Sequence, residues 1–139
     1  MDKALIDTDI FSEIRKEIAQ KVIAKATTYR ENFGYYTISV ITVLEVTKGW
    51  QKRQREDRIQ EFIRDISDVE VLPVDLPIAE LAGRIEADLE STGQPIGLAD
   101  ALIAATAIQY KLVLITGNLF HYQRIQNLNY SLRLDNWRT

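Results

Sequence analysis

The chain has no cysteine. That removes disulfides, zinc–thiolate sites and cysteine nucleophiles together, and it fits a reducing, cytoplasmic setting. A single histidine, His121, leaves acid–base hydrolysis by paired imidazoles out of reach. A Ser-His-Asp triad would lack its Gly-x-Ser-x-Gly elbow. The glycine loops that cradle phosphates, Gly-x-x-x-x-Gly-Lys and Gly-x-Gly-x-x-Gly, are missing as well. No run approaches the roughly 20 apolar residues of a membrane span, and no membrane partner is expected. The start, Met1-Asp2-Lys3-Ala4-Leu5-Ile6-Asp7, lacks the apolar core of a signal peptide. Positive charge is not in surplus either: the formal charge is -3 and the pI near 5.2. Such a chain has no global pull toward nucleic acid, so RNA contact would need a local basic patch or a metal.

What remains is an ordinary globular mixture, 46% hydrophobic and 27% charged over 139 residues. That length suits one domain, 1–139, with a real core. No repeat, linker or low-complexity tract interrupts it. Lys3 to Ile6, Tyr35 to Ile38, Val69 to Val74, Leu112 to Thr116 and Ser131 to Leu134 read as strands. Helical spacing of Ile10, Phe11, Ile14, Ile18, Val22 and Ile23 predicts a helix, broken or whole, from Asp9 to about Glu31. Ser39 is a plausible N-cap for a helix to about Trp50, and a charged helix follows to about Ile66. Further helices are expected from Pro77 to Ser91, Leu98 to Tyr110 and Phe120 to Ile125. Strands that are nearly all apolar and alternate with helices predict an α/β fold. Its mostly parallel central sheet would have four to five strands and helices on both faces. Ligands of such sheets sit beyond the carboxyl ends of the strands.

The polar residues that break the apolar runs are acids. Asp100 stands in Leu98-Ala99-Asp100-Ala101-Leu102-Ile103-Ala104-Ala105. Asp7 and Asp9 end the run from Ala4, and Glu45 lies inside Thr42-Val43-Leu44-Glu45-Val46. No Lys or Arg lies within these runs. A charge in an apolar frame is costly unless it pairs or binds a metal. All of them, with Thr116 and Asn118 after the fourth strand, can reach one crevice. Hard cations such as Mg²⁺ or Mn²⁺ prefer such oxygen ligands. Each acid also has a plainer reading. Asp7 and Asp9 can cap a helix, Glu45 can pair with a distant arginine, and Asp100 can answer a helix macrodipole.

Four segments in order resemble the PIN domain, and most closely the VapC toxins of bacterial toxin–antitoxin pairs. They are Leu5-Ile6-Asp7-Thr8-Asp9, Thr42-Val43-Leu44-Glu45-Val46, Leu98 to Ala105 and Leu114-Ile115-Thr116-Gly117-Asn118. The resemblance implies a three-layer sandwich and a Mg²⁺- or Mn²⁺-dependent endonuclease for single-stranded RNA. It also implies a homodimer silenced by a cognate VapB-like antitoxin. Carried over by position, Asp7, Glu45 and Asp100 match the metal-binding acids, with Thr8, Asp9, Thr116 and Asn118 in support. The family commonly has a fourth acid within the segment that here reads Gly117 to Tyr122. This chain offers Asn118 and His121 there, so a second metal site is in question.

The dense basic stretch from Lys48 to Arg58 is either a solvated helix face or a contact for RNA or antitoxin. Lys48, Trp50, Lys52 and Arg53 are its candidates, with Trp50 able to stack on a base, and His121 is another candidate for such contact. Two other functions fit parts of the pattern. One is a haloacid-dehalogenase-like phosphatase or phosphoacceptor built on Asp7-x-Asp9. The other is a PIN-like binding module without activity.

Overall fold

Three-residue strands alternate with helices throughout the computed structural model, which describes residues 1–139. The strands are β1 (Ala4–Ile6), β2 (Thr37–Ser39), β3 (Glu70–Leu72), β4 (Val113–Ile115) and β5 (Arg133–Asp135). The helices are α1 (Thr8–Lys16), α2 (Gln20–Phe33), α3 (Val40–Lys52), α4 (Glu56–Asp65), α5 (Leu76–Ser91), α6 (Leu98–Gln109) and α7 (Leu119–Gln126). A 3₁₀ turn, Ile66–Asp68, leads into β3.

Local chemistry sets the boundaries. The helix expected from Asp9 onward is broken at Glu17, whose left-handed backbone (φ 55°) ends α1 before α2 begins. Gly34 takes the same conformation to end α2. The Ser39 hydroxyl caps α3 by accepting from Ile41 N (3.0 Å), as its position suggested. Asp75 caps α5 through Ile78 N, with Pro77 in the first turn, where no N–H is needed.

All strand pairs are parallel. β4 lies between β1 and β5, with Leu5 opposite Leu114 and Leu114 opposite Leu134. β2 pairs with β3, with Ile38 opposite Val71. The five strands are therefore not one continuous ladder but a three-stranded and a two-stranded one, laid side by side through β1 and β2. This corrects the expected single sheet of four to five strands. The reason is visible at β1. Lys3 O and Asp7 N face β4, so Ala4 points its N–H and C=O toward β2. The buried Tyr29 hydroxyl meets both of them, at 3.0 and 3.4 Å, and takes the place of a ladder partner.

Side-chain alternation along β1 and β4 splits the core into two layers. Leu5 and Leu114 join Ile78, Ile85, Leu89, Ile103 and Tyr122 under α5, α6 and α7. Ala4, Ile6 and Ile115 join Ile10, Phe11, Val22, Tyr29, Phe62 and Trp137 under α1, α2 and α4. α6 is apolar on every side because it is buried; its Ala101, Ala104, Ala105 and Ala107 let neighbouring elements approach closely. No helix is long and apolar enough to cross a membrane.

Parallel strands put their carboxyl ends on one edge. β1 delivers Asp7 there and β4 delivers Thr116. β2 leads into α3, which carries Glu45 in its second turn. α6 precedes β4 and runs back against it, so its first turn, with Asp100, starts at that same edge.

Candidate active site

Asp7 is the most constrained polar side chain of this edge. It is 7% exposed. Its Oδ1 accepts from Thr8 N (2.9 Å) and its Oδ2 from the buried Thr116 hydroxyl (2.8 Å). Burial pushes its pKa up to about 7, and the charges of Asp9 and Asp100 push the same way. The hydrogen bonds from Thr116 and Thr8 oppose them without winning.

Asp9 lies one residue into α1. Its oxygens accept from Ile10 N (2.7 Å) and Gly117 N (3.0 Å), and Arg138 Nη2 stands 3.5 Å away. Burial raises its pKa against these donors. Arg138 is held mainly by Glu13, at 2.7 Å. Glycine leaves room for the close approach at position 117: a Cβ there would have to displace the flexible Arg138 guanidinium and would lie 2.7 Å from Asp9 Oδ2.

Glu45 is half-buried and makes no ion pair. Its Oε1 accepts from the Thr8 hydroxyl at 2.7 Å. Thr8 has one hydroxyl proton, so the 2.9 Å contact with Thr42 runs from Thr42 to Thr8. The result is a short relay, Thr42 to Thr8 to Glu45.

Asp100 faces His121, with Nε2 2.8 Å from Asp100 Oδ2 and 3.2 Å from Ile96 O. Both partners are acceptors, so Nε2 carries the hydrogen. Glu86 fixes the loop just before. This buried acid accepts from Ile96 N (3.3 Å) and Gly97 N (3.1 Å), and so sets where α6 begins.

Tyr122 lies beneath, 1% exposed, with its hydroxyl set beside the carboxylates of Asp7 and Asp100. Burial and the carboxylates of Asp7 and Asp100 hold its pKa well above the ordinary phenol range.

No three acids are gathered tightly enough to hold an ion as the side chains stand, with Asp100 turned to His121 and Glu45 to Thr8. The donor set nevertheless fits a hard divalent cation. Its ligand atoms are carboxylate oxygens, no Lys or Arg pairs with Asp7, Glu45 or Asp100, and the repulsion that lifts Asp7 is what a cation would relieve.

Residues 4–122 match the PIN domain family. The chain belongs to it. It is a VapC-like PIN domain, 30% identical over 138 residues to the tRNA(fMet)-specific endonuclease VapC of Shigella flexneri, covering 99% of both chains. It is 30% identical over 120 residues to the toxin FitB of Neisseria gonorrhoeae, covering 81% of this chain and 85% of FitB. The DNA-bound VapBC structure from Salmonella typhimurium superposes with a TM-score of 0.81 at 30% identity, over 99% of each chain.

The edge of this PIN domain thus brings together Asp7, Thr8, Asp9, Thr116 and Asp100, with Glu45 joined through Thr8. Asn118 differs. Its side chain is exposed and caps nothing, while its N–H donates to the Thr116 hydroxyl (3.0 Å). His121 is bound to Asp100 rather than free on the surface. In the basic stretch, Trp50 and Arg53 line a cavity with Thr8 and Glu45, whereas Lys48 and Lys52 do not. The cavity wall follows the side of α3 that carries Glu45, Val46, Gly49 and Trp50, with Arg53 at its C-cap. Thr42, Glu86, Tyr122 and Arg138 went unmarked in the sequence. Thr42 alone carried a signal, being three residues before Glu45 on a helix.

Proposed function

We propose that this PIN domain, spanning 1–139, is a Mg²⁺- or Mn²⁺-dependent endoribonuclease and the toxin half of a VapBC-type pair. One observation carries the reading. Asp7 is buried at the carboxyl edge of β1, where burial first, and the nearby charges of Asp9 and Asp100 after it, raise its pKa to about 7, and no cationic side chain answers it.

Asp7, Glu45 and Asp100 are the ligands that would hold the ion. When bound, it would lower the pKa of a water, orient that water toward the phosphorus and offset charge on the RNA phosphodiester. The residues around it position the acids. Thr116 fixes one oxygen of Asp7, His121 turns Asp100, and Thr8, itself held by Thr42, turns Glu45. Asp9 is kept off the centre by Gly117 N–H and Arg138. Its role is support, and Asn118 stands at the rim. Cleavage by water in line would leave a 5′-phosphate and a 3′-hydroxyl.

The partners proposed are a single-stranded RNA substrate, a VapB-like antitoxin and a second copy of the chain, all in the cytoplasm. The test is cleavage of a labelled single-stranded RNA with and without Mg²⁺ or Mn²⁺. Asp7→Asn and Asp100→Asn should each lose at least a hundredfold in rate while keeping the wild-type circular dichroism spectrum. Full cleavage by either variant, or by wild-type protein in EDTA, rejects the reading.

A further inference from the structure

A cavity of about 480 Å³ opens between α1, α3 and α4. It shares Thr8 and Glu45 with the acid site, so the two are continuous. Beyond them its wall is basic: Arg15 and Lys16 from α1, Arg53 from the end of α3, and Arg58 from α4. Glu61 and Glu45 are the opposing acids in the wall. Arg58 meets Glu61 only at 3.5 Å, at the exposed rim. Lys16 and Arg53 have no carboxylate partner. Arg15 is held by Asp65 (2.8 Å) and by the face of Phe62, yet its buried Nε has no acceptor. The Arg53 and Arg58 guanidiniums lie 5.3 and 5.7 Å from the Trp50 ring centroid. Val46 and Trp50 are the only apolar residues in the wall.

A groove that receives an amphipathic helix is apolar. This one is polar, carries more positive than negative charge and has one aromatic wall. Those features suit a single strand, whose phosphates need cations and whose bases need a stacking surface. We propose that this cavity is a subsite for single-stranded RNA flanking the scissile bond. Arg53, Arg58 and Lys16 take its phosphates and the Trp50 face takes a base. The assignment rests on the nuclease reading above for the identity of the strand. It moves the nucleic-acid contact from Lys48 and Lys52 to the helix face that looks into the cavity.

The test is fluorescence anisotropy of a labelled single-stranded RNA 12-mer with metal-free full-length protein, from low to moderate salt. Each phosphate of a single strand deprived of its cationic side chain flattens the slope of log affinity against log salt by about 0.7. Arg53→Ala with Arg58→Ala should weaken binding at least tenfold and flatten the slope by about 1.4. Lys48→Ala with Lys52→Ala, two residues that do not line the cavity, should change neither. RNA should quench Trp50 fluorescence in a Trp137→Phe background, and Trp50→Ala should cost roughly tenfold in affinity. The arginine, lysine and Trp50 variants alter exposed or rim side chains, Trp137→Phe is a buried aromatic exchange, and thermal unfolding checks that each protein folds.

The assignment falls if the two lysines carry the salt slope. It falls equally if the two arginines leave RNA binding untouched, including the case in which they disturb only capture of an acidic protein partner. Cleavage assays beside these separate the two claims. An arginine effect on binding without any metal-dependent cleavage by wild type rejects the nuclease and keeps the subsite. Cleavage that needs Asp7, with no arginine effect on binding, does the reverse.

Discussion

Asp7→Asn isolates the cost of keeping a charge at the centre of the site. In the folded protein Asp7 loses its proton near pH 7, against an ordinary carboxylate value of 3.8. The unfolded chain releases the same proton about three pH units earlier. Between these values the folded state binds more protons than the unfolded one, so stability is fully present below pH 4 and is lost as pH rises toward 7. At about 1.4 kcal/mol per pH unit the loss reaches about 4 kcal/mol. Solvent screening does little to reduce it, since the side chain is 7% exposed. Asparagine carries no charge; its one oxygen can accept from Thr8 N, and its NH₂ can donate to the Thr116 hydroxyl oxygen in place of the second bond. Metal-free Asp7→Asn should therefore match the wild type near pH 4.5 and exceed it at pH 8 by up to about 4 kcal/mol, roughly 14 °C in Tm. Urea and thermal unfolding in EDTA from pH 4.5 to 8.5 measure this directly. Mg²⁺ should stabilise the wild type at pH 8 and leave the variant unmoved. Parallel pH profiles for the two proteins would refute the argument that buried charge dominates this site.

Two further outcomes follow from the contacts around the acids. Glu45→Gln breaks the charge but not the shape of the Thr42–Thr8–Glu45 relay, so it should abolish metal-dependent cleavage while changing stability by less than about 1 kcal/mol, read by urea unfolding. Gly117→Ala places a methyl group against Arg138 and Asp9; it should push the arginine out and destabilise by about 1 kcal/mol. The accompanying change is a shifted Arg138 side-chain signal in NMR, and an unmoved signal would mean the contact is loose in solution.

Much of the layout was legible from local signals. Ser39 caps a helix because a short polar side chain can satisfy the free N–H groups of a first turn, and that chemistry needs no tertiary partner. The apolar strands announced burial on both faces, and burial on both faces announced parallel pairing. Asp7, Glu45 and Asp100 stood out because charges among aliphatic residues demand a compensating group. The gap in the sheet did not show, because it depends on the Tyr29 hydroxyl reaching Ala4 from another helix. Glu86 looked like any charged helix position, yet both its oxygens serve the loop before α6. Tyr122 looked like core, and most of it is.

Sequence alone determined which residues the protein must hide and which it cannot hide cheaply, since hydrophobic period, capping chemistry and the desolvation of carboxylates are properties of short segments. Tertiary structure decided which of those segments meet. Parallel strand order puts Asp7, Thr116 and Asp100 on one edge, and the placement of α3 sets Glu45, Trp50 and Arg53 along one cavity that Lys48 and Lys52 do not line. Arg138 comes from the far end of the chain to stand beside Asp9. Proximity of that kind is set by packing, and no local pattern of residues encodes it.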